Sequence, residues 1–376
     1  MNPDGGRGHY LDHASTSPAR PEVVSAVVEA LTGLGADPGR LHQPAAEVRH
    51  AVEESREQVA MMLGCRPRSV VFTSGATEAI HSAVWGATER GGHVVCAPIE
   101  HSAVREASQR WAEVGWVGVD GLGRVDPDEV AAAITTDTAL VHLQWGNHEV
   151  GTLQPVAEVV AACRDRGVLV HVDAAQAVGR VPVAFEELGA DLLSVSAHKF
   201  GGPPGIGALL IRPGLRLRPL FVGGEQERAR RAGFENVAAI AGLAAAAQVL
   251  MPDRIDTEAL LARSQTERVA AEAESLEGVS VLGDPDSRLP HLVCLGIDGI
   301  EPQAVLLGLD RRDVYVHSGS ACAAETIEPS PVLAAMGVAA DRSLRVSVGW
   351  NTTDADVEAL LSGLDAVLAE LRALTG

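Results

Sequence analysis

Lysine is almost absent from the 376-residue sequence: Lys199 is the only one, and every other basic residue is an arginine. A guanidinium group stays protonated and cannot act as an amine nucleophile, whereas a lysine amine can lose its proton and form a Schiff base. Codon bias that leaves one surface lysine by accident is the alternative interpretation. The segment SVSAHKFGGPPG places Lys199 between a histidine and a glycine-rich loop, which makes this lysine a candidate for chemistry.

Paired cysteines and excess positive charge are also missing. The five cysteines are scattered and odd in number, and no CxxC pair is present, which argues against a disulfide framework and a zinc site. The formal net charge of −20 argues against nucleic acid or an anionic membrane as the main partner. Aromatic residues make up only 3% of the sequence, so we expect a core of mostly alanine, valine and leucine.

Targeting and membrane segments are not evident either. The first ten residues, MNPDGGRGHY, lack the apolar stretch of a signal peptide, and no run of residues approaches a transmembrane span. We therefore expect a cytoplasmic protein that does not enter a membrane.

Short apolar strands alternate with helices through most of the chain. Segments such as SVVFTSGATEAIHSAV, HVVCAPIEHSAVREASQ and GVLVHVDAAQAVG each read as a strand followed by a helix. This alternation predicts an α/β fold with a mainly parallel sheet that helices cover on both faces. After a charged helix from about Asp256, the strands VSVLG, HLVCLGI, VYVHSG and SLRVSVG indicate a smaller α+β domain. We therefore predict an N-terminal arm (1–15), a large domain (16–255) and a small C-terminal domain (256–376).

Polar residues follow several of these strands, at the edge where open α/β sheets bind ligands. In TSGATE (73–78) a glycine turn leads into a helix whose first N–H groups, with the hydroxyls of Ser74 and Thr77, can cradle a phosphate. Such caps are common at helix starts without any ligand, so this motif alone identifies no function. Asp173 in HVDAAQ and His101 in APIEH also follow apolar strands. Asp173 alone is equally well a helix-capping residue, and a lone histidine such as His101 is more often a capping or surface residue than a catalyst.

Together, a lysine, an aspartate, a histidine and a phosphate cradle meet the needs of pyridoxal phosphate. A lysine that follows Asp173 by 26 residues in S-x-H-K, with TSGATE and EH upstream, strongly resembles the cysteine desulfurases. These enzymes belong to the class V aminotransferase branch of the fold type I pyridoxal-phosphate enzymes. The resemblance runs from YLDHASTSP (10–18) to LRVSVGWNTTDADVEAL near the C-terminus. It implies a fold type I transferase that uses pyridoxal 5'-phosphate.

The segment SGSACAAETIEPSPVL (318–333) resembles the loop that carries the persulfide-forming cysteine in the branch known for iron–sulfur and tRNA sulfur supply. This resemblance makes Cys322 the candidate nucleophile. Its serine, glycine and alanine neighbours indicate an exposed segment, which a sulfur-delivering cysteine requires. The remaining cysteines lie in or beside apolar patterns and are interpreted as core residues: Cys65, Cys96, Cys163 and Cys294.

The resemblance also implies a role for each site residue. Lys199 would bind the cofactor as a Schiff base, Asp173 would face the pyridine nitrogen, and Gln176 would hydrogen-bond the phenolic oxygen. His101 would stack on the ring and act in proton transfers, and Arg345 would hold the substrate carboxylate. The phosphate would be held by Thr77, Ser196 and His198, with the backbone near Ala76.

The implied reaction converts L-cysteine to L-alanine. Lys199, freed when the substrate binds, would remove the Cα proton, and the Cys322 thiolate would attack the substrate sulfur. The persulfide on Cys322 would pass to a sulfur-acceptor protein, and the family implies a homodimer. The alternatives are a related pyridoxal-phosphate enzyme (a selenocysteine lyase, a C–S lyase or an aminotransferase-like enzyme) and a non-catalytic scaffold that binds a partner protein.

Three positions depart from the family pattern. His148 stands in NHEVG where the family has a second asparagine that contacts the phenolic oxygen, and an imidazole can hydrogen-bond there instead. Phe234 in RAGFEN replaces a threonine that reaches the phosphate of the neighbouring subunit, so we expect that contact to be lost. Trp350 stands where an arginine often follows Ser-x-Gly. These changes indicate a specialised desulfurase or a relative with a shifted substrate.

Overall fold

The computed structural model of the protein describes residues 8–318, 329–339 and 342–375. The strands in these residues are β1 (His9–Tyr10), β2 (Val70–Thr73), β3 (His93–Cys96), β4 (Glu113–Trp116), β5 (Thr138–Gln144), β6 (Leu169–Asp173), β7 (Leu192–Ser196), β8 (Gly207–Ile211), β9 (Val279–Leu282), β10 (Leu292–Ile297), β11 (Val314–Tyr315) and β12 (Ser343–Ser347). The helices are α1 (Pro21–Gly33), α2 (Gln43–Met62), α3 (Ala76–Ala87), α4 (Ser102–Trp111), α5 (Pro127–Ala133), α6 (Val156–Arg164), α7 (Phe185–Leu188), α8 (Gln226–Ala229), α9 (Val237–Val249), α10 (Pro252–Glu274), α11 (Pro302–Asp310), α12 (Pro331–Ala335) and α13 (Asp354–Thr375). Short 3₁₀ turns span Pro67–Ser69 and Ala197–Lys199.

The large sheet has seven strands in the order β2-β8-β7-β6-β5-β3-β4. Strand β8 is antiparallel to both of its neighbours, and the other pairs are parallel. All residues of β5, β6 and β7 are buried, as expected of strands that helices cover on both faces. The α/β fold with a mainly parallel sheet, predicted from the alternating pattern, is confirmed.

Helix boundaries follow local sequence signals. Helix α1 begins at Pro21, in the first-turn position that suits proline, and α3 begins at Ala76, directly after Gly75. The charged helix α10 begins at Pro252 rather than near Asp256. A proline in the first turn explains this earlier start, because its fixed φ suits a helix and its missing N–H is not needed there.

A second sheet, antiparallel and of order β12-β10-β9, lies in the C-terminal part of the chain. Helix α10 packs on β9 and β10, and α11 packs on α13. The hydrophobic cluster around this sheet includes Leu295, Leu344 and Leu364, together with Leu11 of the arm. The segment VYVHSG, predicted as a strand of this domain, forms only the two-residue β11, which pairs with the equally short β1 of the arm. The segment meets the second sheet at an antiparallel bridge between His317 and Arg345 of β12. The arm is therefore part of the C-terminal core.

The carboxyl ends of β2, β5, β6 and β7 meet at one edge of the large sheet. A glycine, Gly207, allows the backbones to approach each other closely at this edge. A Cβ atom on Gly207 would lie 2.2 Å from the carbonyl oxygen of Val195 and 2.7 Å from the Cα atom of Gly75. Only glycine fits this approach of β8 to the turn before α3. The turn that begins α3 is thereby held beside the ends of β6 and β7.

Within the described ranges, no single helix is long and apolar enough to cross a membrane. The pair α9 and α10 reaches that length and composition only when taken together, across a bend of 77°, and most of α9 is buried in the core.

Candidate active site

A cavity of about 490 Å³ lies at the carboxyl edge of the large sheet. The structure brings the predicted site residues together around it, except Cys322, which lies outside the described residues. The predicted residues that line the cavity are Ala76, Thr77, His101, His148, Asp173, Gln176, Ser196, His198, Lys199 and Arg345.

Lys199 lies in the 3₁₀ turn that follows β7. Its Nζ donates hydrogen bonds of 2.8 Å to the main-chain oxygens of Ala14 and Ser15. Burial lowers the pKa of Lys199 to about 8, and the positive charge of Arg345 adds to this effect. A larger fraction of the amine is therefore unprotonated near neutral pH than for an exposed lysine, as attack on a carbonyl group requires.

Asp173 is the last residue of β6, and its side chain is buried. Ser194 Oγ donates to Asp173 Oδ1 at 3.0 Å, and the N–H of Ala175 donates to the same oxygen at 3.1 Å. Both of these bonds use Oδ1, so the carboxylate is fixed while Oδ2 remains for a ligand. A buried carboxylate in this position favours a cationic partner.

The start of α3 forms a preorganised anion site. The first N–H groups of a helix have no acceptor within the helix, and Ser74 and Thr77 place hydroxyl groups on the cavity wall. Glu78 Oε2 accepts from the N–H of Ser74 at 2.8 Å, and Arg231 Nε donates to Glu78 Oε1 at 2.9 Å. Burial acts to raise the pKa of Glu78, but the hydrogen bonds from Arg231 and Ser74 hold it below its usual value. The ion pair between Glu78 and Arg231 thereby fixes the turn at Ser74.

His101 caps α4 with its own ring. The N–H of Ala103 donates to His101 Nδ1 at 3.1 Å, so neutral His101 carries its proton on Nε2. Burial lowers the pKa of His101, which favours this neutral form. The ring therefore offers a planar face and an N–H donor.

His148 lies between His101 and Arg345 on the cavity wall. The ring centroids of His148 and His101 are 5.3 Å apart, and Arg345 Nη1 donates to the main-chain oxygen of His148 at 2.8 Å. Burial, reinforced by the positive charge of Arg345, lowers the pKa of His148 well below its usual value. Its Nδ1 is buried without a hydrogen-bond partner among the residues that the structure describes. The ring is therefore neutral.

Arg345 is held by an internal carboxylate. Its Nη2 donates to Asp12 Oδ1 at 2.7 Å and to Ser15 Oγ at 2.8 Å, and its side chain is buried. A substrate carboxylate at this guanidinium has to share the donors of Arg345 with Asp12 or displace that carboxylate. The sequence interpretation of Arg345 did not include this competition.

The other predicted residues hold the arm as well as lining the cavity. Gln176 Nε2 donates to the main-chain oxygen of Ala14 at 2.8 Å, and His198 Nδ1 lies 3.1 Å from Thr16 Oγ1. Burial and the nearby charge of Lys199 lower the pKa of His198 to about 4, so its ring is neutral.

Sequence reasoning missed residues that complete the site. Asp12 and Ser15 hold Arg345, and Glu149 lies beside His148 with its side chain buried. Glu100 is 1% exposed and accepts from the N–H of Gln144 at 2.9 Å, and burial raises its pKa to about 8. Their positions in the sequence could have identified Asp12, Glu100 and Glu149 as site residues. Each lies inside a motif that was already singled out in the sequence: YLDHASTSP, APIEH and NHEVG.

The two departures outside the cavity differ in character. Phe234 is 63% exposed, so its ring is free to meet another molecule. Trp350 is fixed: its Nε1 donates to the main-chain oxygen of Pro18 at 2.9 Å, and Arg20 lies over its ring at 5.5 Å. Trp350 therefore ties the C-terminal part of the chain to the segment between the arm and α1.

None of the four cysteines in the described part of the chain is suited to be a thiolate. Burial raises the pKa of Cys65, Cys163 and Cys294 to about 12 and that of Cys96 above its usual range. Because the thiolate is the nucleophilic form, these residues act as small core side chains.

Comparisons with known proteins identify the family of the chain. The family described as aminotransferase class-V matches residues 9–360. Cysteine desulfurase IscS of Dictyoglomus turgidum is 36% identical, over 97% of this chain and 96% of that protein. A cysteine desulfurase of Gluconacetobacter diazotrophicus is 38% identical, over 97% of this chain and 94% of that protein. The solved structure of a NifS-like protein has a TM-score of 0.90 at 31% identity and covers 96% of this chain and 99% of that one. A second solved structure, described as "SspA in complex with cysteine", has a TM-score of 0.80 at 28% identity. The match covers 90% of this chain and 98% of that one. The resemblance found in the sequence is confirmed, and the chain belongs to the class V aminotransferase family and, within it, to the cysteine desulfurases.

Proposed function

We propose that the protein is a pyridoxal-phosphate-dependent cysteine desulfurase, which converts L-cysteine to L-alanine and leaves a persulfide on Cys322. One observation carries the proposal: the only lysine of the chain lies, with a pKa lowered to about 8, on the wall of the cavity that also holds Asp173 and the start of α3. Cysteine desulfurase relatives of nearly full length support the same activity.

The residues of the cavity fit pyridoxal phosphate. An amine, a buried carboxylate and a helix N-terminus meet the three chemically distinct parts of that molecule, its aldehyde, its pyridine nitrogen and its phosphate. The group would be held by Lys199, by Asp173, and by a phosphate site that consists of Thr77, Ser196, His198 and the backbone near Ala76. When bound, the cofactor withdraws electrons from the substrate Cα, so that bonds at Cα and Cβ can break.

Each side chain then has a definite task. Asp173 stabilises a protonated pyridine nitrogen, which its fixed Oδ1 and its burial favour. The Lys199 amine, held over the cavity by the arm, removes the Cα proton as a general base. Gln176, His148 and His101 border the same cavity. Gln176 and His148 would be available to hydrogen-bond the phenolic oxygen of the cofactor, and the face of His101 would cover its ring.

The substrate end of the cavity is the region of Arg345. Its guanidinium binds the carboxylate of Asp12, and the carboxylate of L-cysteine would share these donors or displace Asp12. SspA, a solved relative, is described in complex with cysteine, which supports this class of substrate. A related lyase or aminotransferase-like reaction is the alternative, because His148 changes one contact of the cavity.

Partners belong to the proposal as well. The persulfide passes from Cys322 to a sulfur-acceptor protein, and the enzyme acts as a homodimer. Phe221, Val222 and Phe234 are 46%, 78% and 63% exposed, and such exposed apolar side chains close together in sequence favour contact with another chain. A cytoplasmic location stays a prediction from the sequence.

The experiment that tests the proposal compares the wild type with Cys322→Ala. We expect the purified, yellow wild type to form alanine and to release sulfide from L-cysteine with a thiol reductant, and we expect the variant to lose sulfide release. Wild-type sulfide release by the variant would favour a C–S lyase. A colourless protein that gains no colour from pyridoxal phosphate would favour a non-catalytic scaffold.

A further inference from the structure

The turn after β5 places an imidazole and a carboxyl group side by side at the cavity. His148 Nε2 lies 3.6 Å from Glu149 Oε1, and the two residues are 9% and 2% exposed. Asn147 cannot take this position, because its side chain is bonded to main-chain groups of the turn and of Ile99. The functional group that this turn offers to the cavity is therefore the imidazole of His148.

Glu149 is fixed from its far side. Ser330 Oγ donates a short hydrogen bond to Glu149 Oε2, and Ser330 in turn accepts from the N–H of Leu333 in α12 at 3.1 Å. Oε1 therefore remains for His148. Burial raises the pKa of Glu149 to about 7, although Ser330 and Arg345 act to lower it. The carboxyl group thus exchanges a proton near neutral pH.

His101, the imidazole beside His148, is arranged differently. Its Nδ1 accepts from the N–H of Ala103, so its proton is on Nε2. Neutral His101 can donate a hydrogen bond from Nε2 to a ligand in the cavity, but it cannot accept a proton at Nδ1 without losing its cap on α4. The cavity therefore needs a proton acceptor other than His101 when a thiol ionises.

This inference rests on the proposed function, because the conversion of L-cysteine to L-alanine moves one hydrogen from a thiol to Cβ. A thiol S–H bond breaks and its electron pair forms the S–S bond, while the Cβ–S bond breaks and its pair binds the proton at Cβ. Carbon is thereby reduced and the two sulfur atoms are oxidised. We propose that His148 and Glu149 together hold this proton between sulfur and Cβ, His148 by facing the cavity and Glu149 by acting through His148.

The groups that face the pair determine which partner keeps the proton. Positive charges lower the pKa of His148, whose burial already favours the neutral ring, so the imidazole passes the proton on rather than retaining it. The carboxyl group of Glu149, with a pKa of about 7, retains it. The distance of 3.6 Å closes to a hydrogen bond when a ligand orders the site, as catalytic contacts commonly do. The titratable and polar groups that face His148 and Glu149 are His101 at the N-cap of α4, Arg105 of α4, Lys199, Cys294 of β10, Ser330, and Arg345 of β12.

The test measures alanine formation in a single turnover of the cofactor-loaded enzyme across pH 6 to 9. In the wild type we expect the rate to rise with pH through about 7, because only the ionised Glu149 accepts a proton. Glu149→Gln removes this rise and lowers the plateau rate about 100-fold, a usual contribution of general acid–base catalysis. His148→Asn gives a comparable loss. Ser330→Ala is the control: it removes a bond that lowers the pKa of Glu149, so the rise moves to higher pH while the plateau rate is largely kept.

A second readout needs neither cofactor nor substrate. In the cofactor-free protein, the infrared band of a protonated carboxyl group grows as the pH falls through about 7, and we expect this band to be lost in Glu149→Gln and kept in His148→Asn. Glu100, with a pKa of about 8, gives a separate band that persists in both variants and shows that they are folded.

The outcomes separate the two proposals. If the wild type forms no alanine from L-cysteine, the proposed function fails, and the infrared titration still decides whether the pair holds a proton near neutral pH. If the wild type forms alanine and Glu149→Gln keeps both its rate and its pH profile, the assignment of His148 and Glu149 is wrong while the desulfurase stands. Absence of a Glu149 band in the infrared titration overturns the assignment in the same way.

Discussion

The amine of Lys199 donates a 2.8 Å hydrogen bond to the main-chain oxygen of Ala14, a residue 185 positions earlier in the chain. Ser15 accepts a second bond from the same amine, and Asp12 binds Arg345. The arm therefore contacts both cationic side chains of the cavity. It is a structural part of the active site and not a peripheral extension.

The first prediction concerns the single lysine. Reduction of the cofactor-loaded protein with borohydride should attach the cofactor to Lys199 and to no other side chain, because the sequence holds no second lysine. Lys199→Ala should lose the visible absorbance of the bound cofactor and lower alanine formation by about 10² to 10⁴-fold, as the loss of a general base does. Peptide mapping by mass spectrometry checks the label, and an unlabelled wild type would contradict the assignment.

The second prediction concerns pH and cofactor loading. Because the pKa of Lys199 is lowered to about 8, the fraction of free amine rises as the pH rises through that value. The rate at which the cofactor-free protein gains visible absorbance should therefore increase with pH around 8. Asp12→Asn should move this increase to lower pH, since the charge of Asp12 acts to raise the pKa of Lys199. An increase centred at the usual lysine value, near 10.4, would contradict this account.

The third prediction concerns Asp173. Asp173→Asn keeps the shape of the side chain but removes the charge that stabilises a protonated pyridine, so we expect alanine formation to fall about 10² to 10³-fold. Ser194→Ala is the matched control, because it removes one 3.0 Å hydrogen bond to Oδ1 and leaves the charge. We expect it to lower the rate at most about tenfold. Equal effects of the two variants would show that Asp173 acts only by holding its strand end.

The fourth prediction concerns stability. Glu227 lies in α8 in a left-handed backbone conformation (φ 49°), and Arg56 donates to its two carboxylate oxygens at 2.8 and 2.9 Å inside the core. Glu227→Gln removes the buried counter-ion of Arg56 and leaves it only the half-exposed Glu53, and we expect the free energy of unfolding to fall by about 3 to 5 kcal/mol. Glu53→Gln removes the exposed partner of the same arginine and should cost at most about 1 kcal/mol. Urea unfolding measures both, and similar losses would contradict the buried-pair argument.

Much of the fold could be predicted because its signals are local. Mainly apolar, fully buried strands such as that ending at Asp173, and glycine turns such as that before Ala76, mark their own structure in a few residues. The antiparallel direction of β8 could not be predicted, because the segment from Gly207 to Ile211 reads like its parallel neighbours. Strand direction depends on the path of the connecting loop and leaves no periodicity in the sequence.

The candidate site was predictable to a similar extent. The residues at strand ends were found because parallel strands bring their carboxyl ends to the same edge. The bond between Arg345 and Asp12, across 333 positions, was not predicted because it depends on the arm pairing with β11. The pairing of His148 with Glu149 was missed for a different reason, since a buried carboxyl group next to an imidazole is evident only once burial is known.

The central claim is that this chain transfers sulfur from L-cysteine to Cys322, and mass spectrometry of the protein after a single turnover tests it most directly. We predict one equivalent of alanine and one additional sulfur atom on the peptide that contains Cys322. The peptides with Cys65, Cys96, Cys163 and Cys294 should stay unmodified, because burial raises the pKa of each thiol. Alanine formed without added sulfur on Cys322, or added sulfur on one of the buried cysteines, would contradict the account.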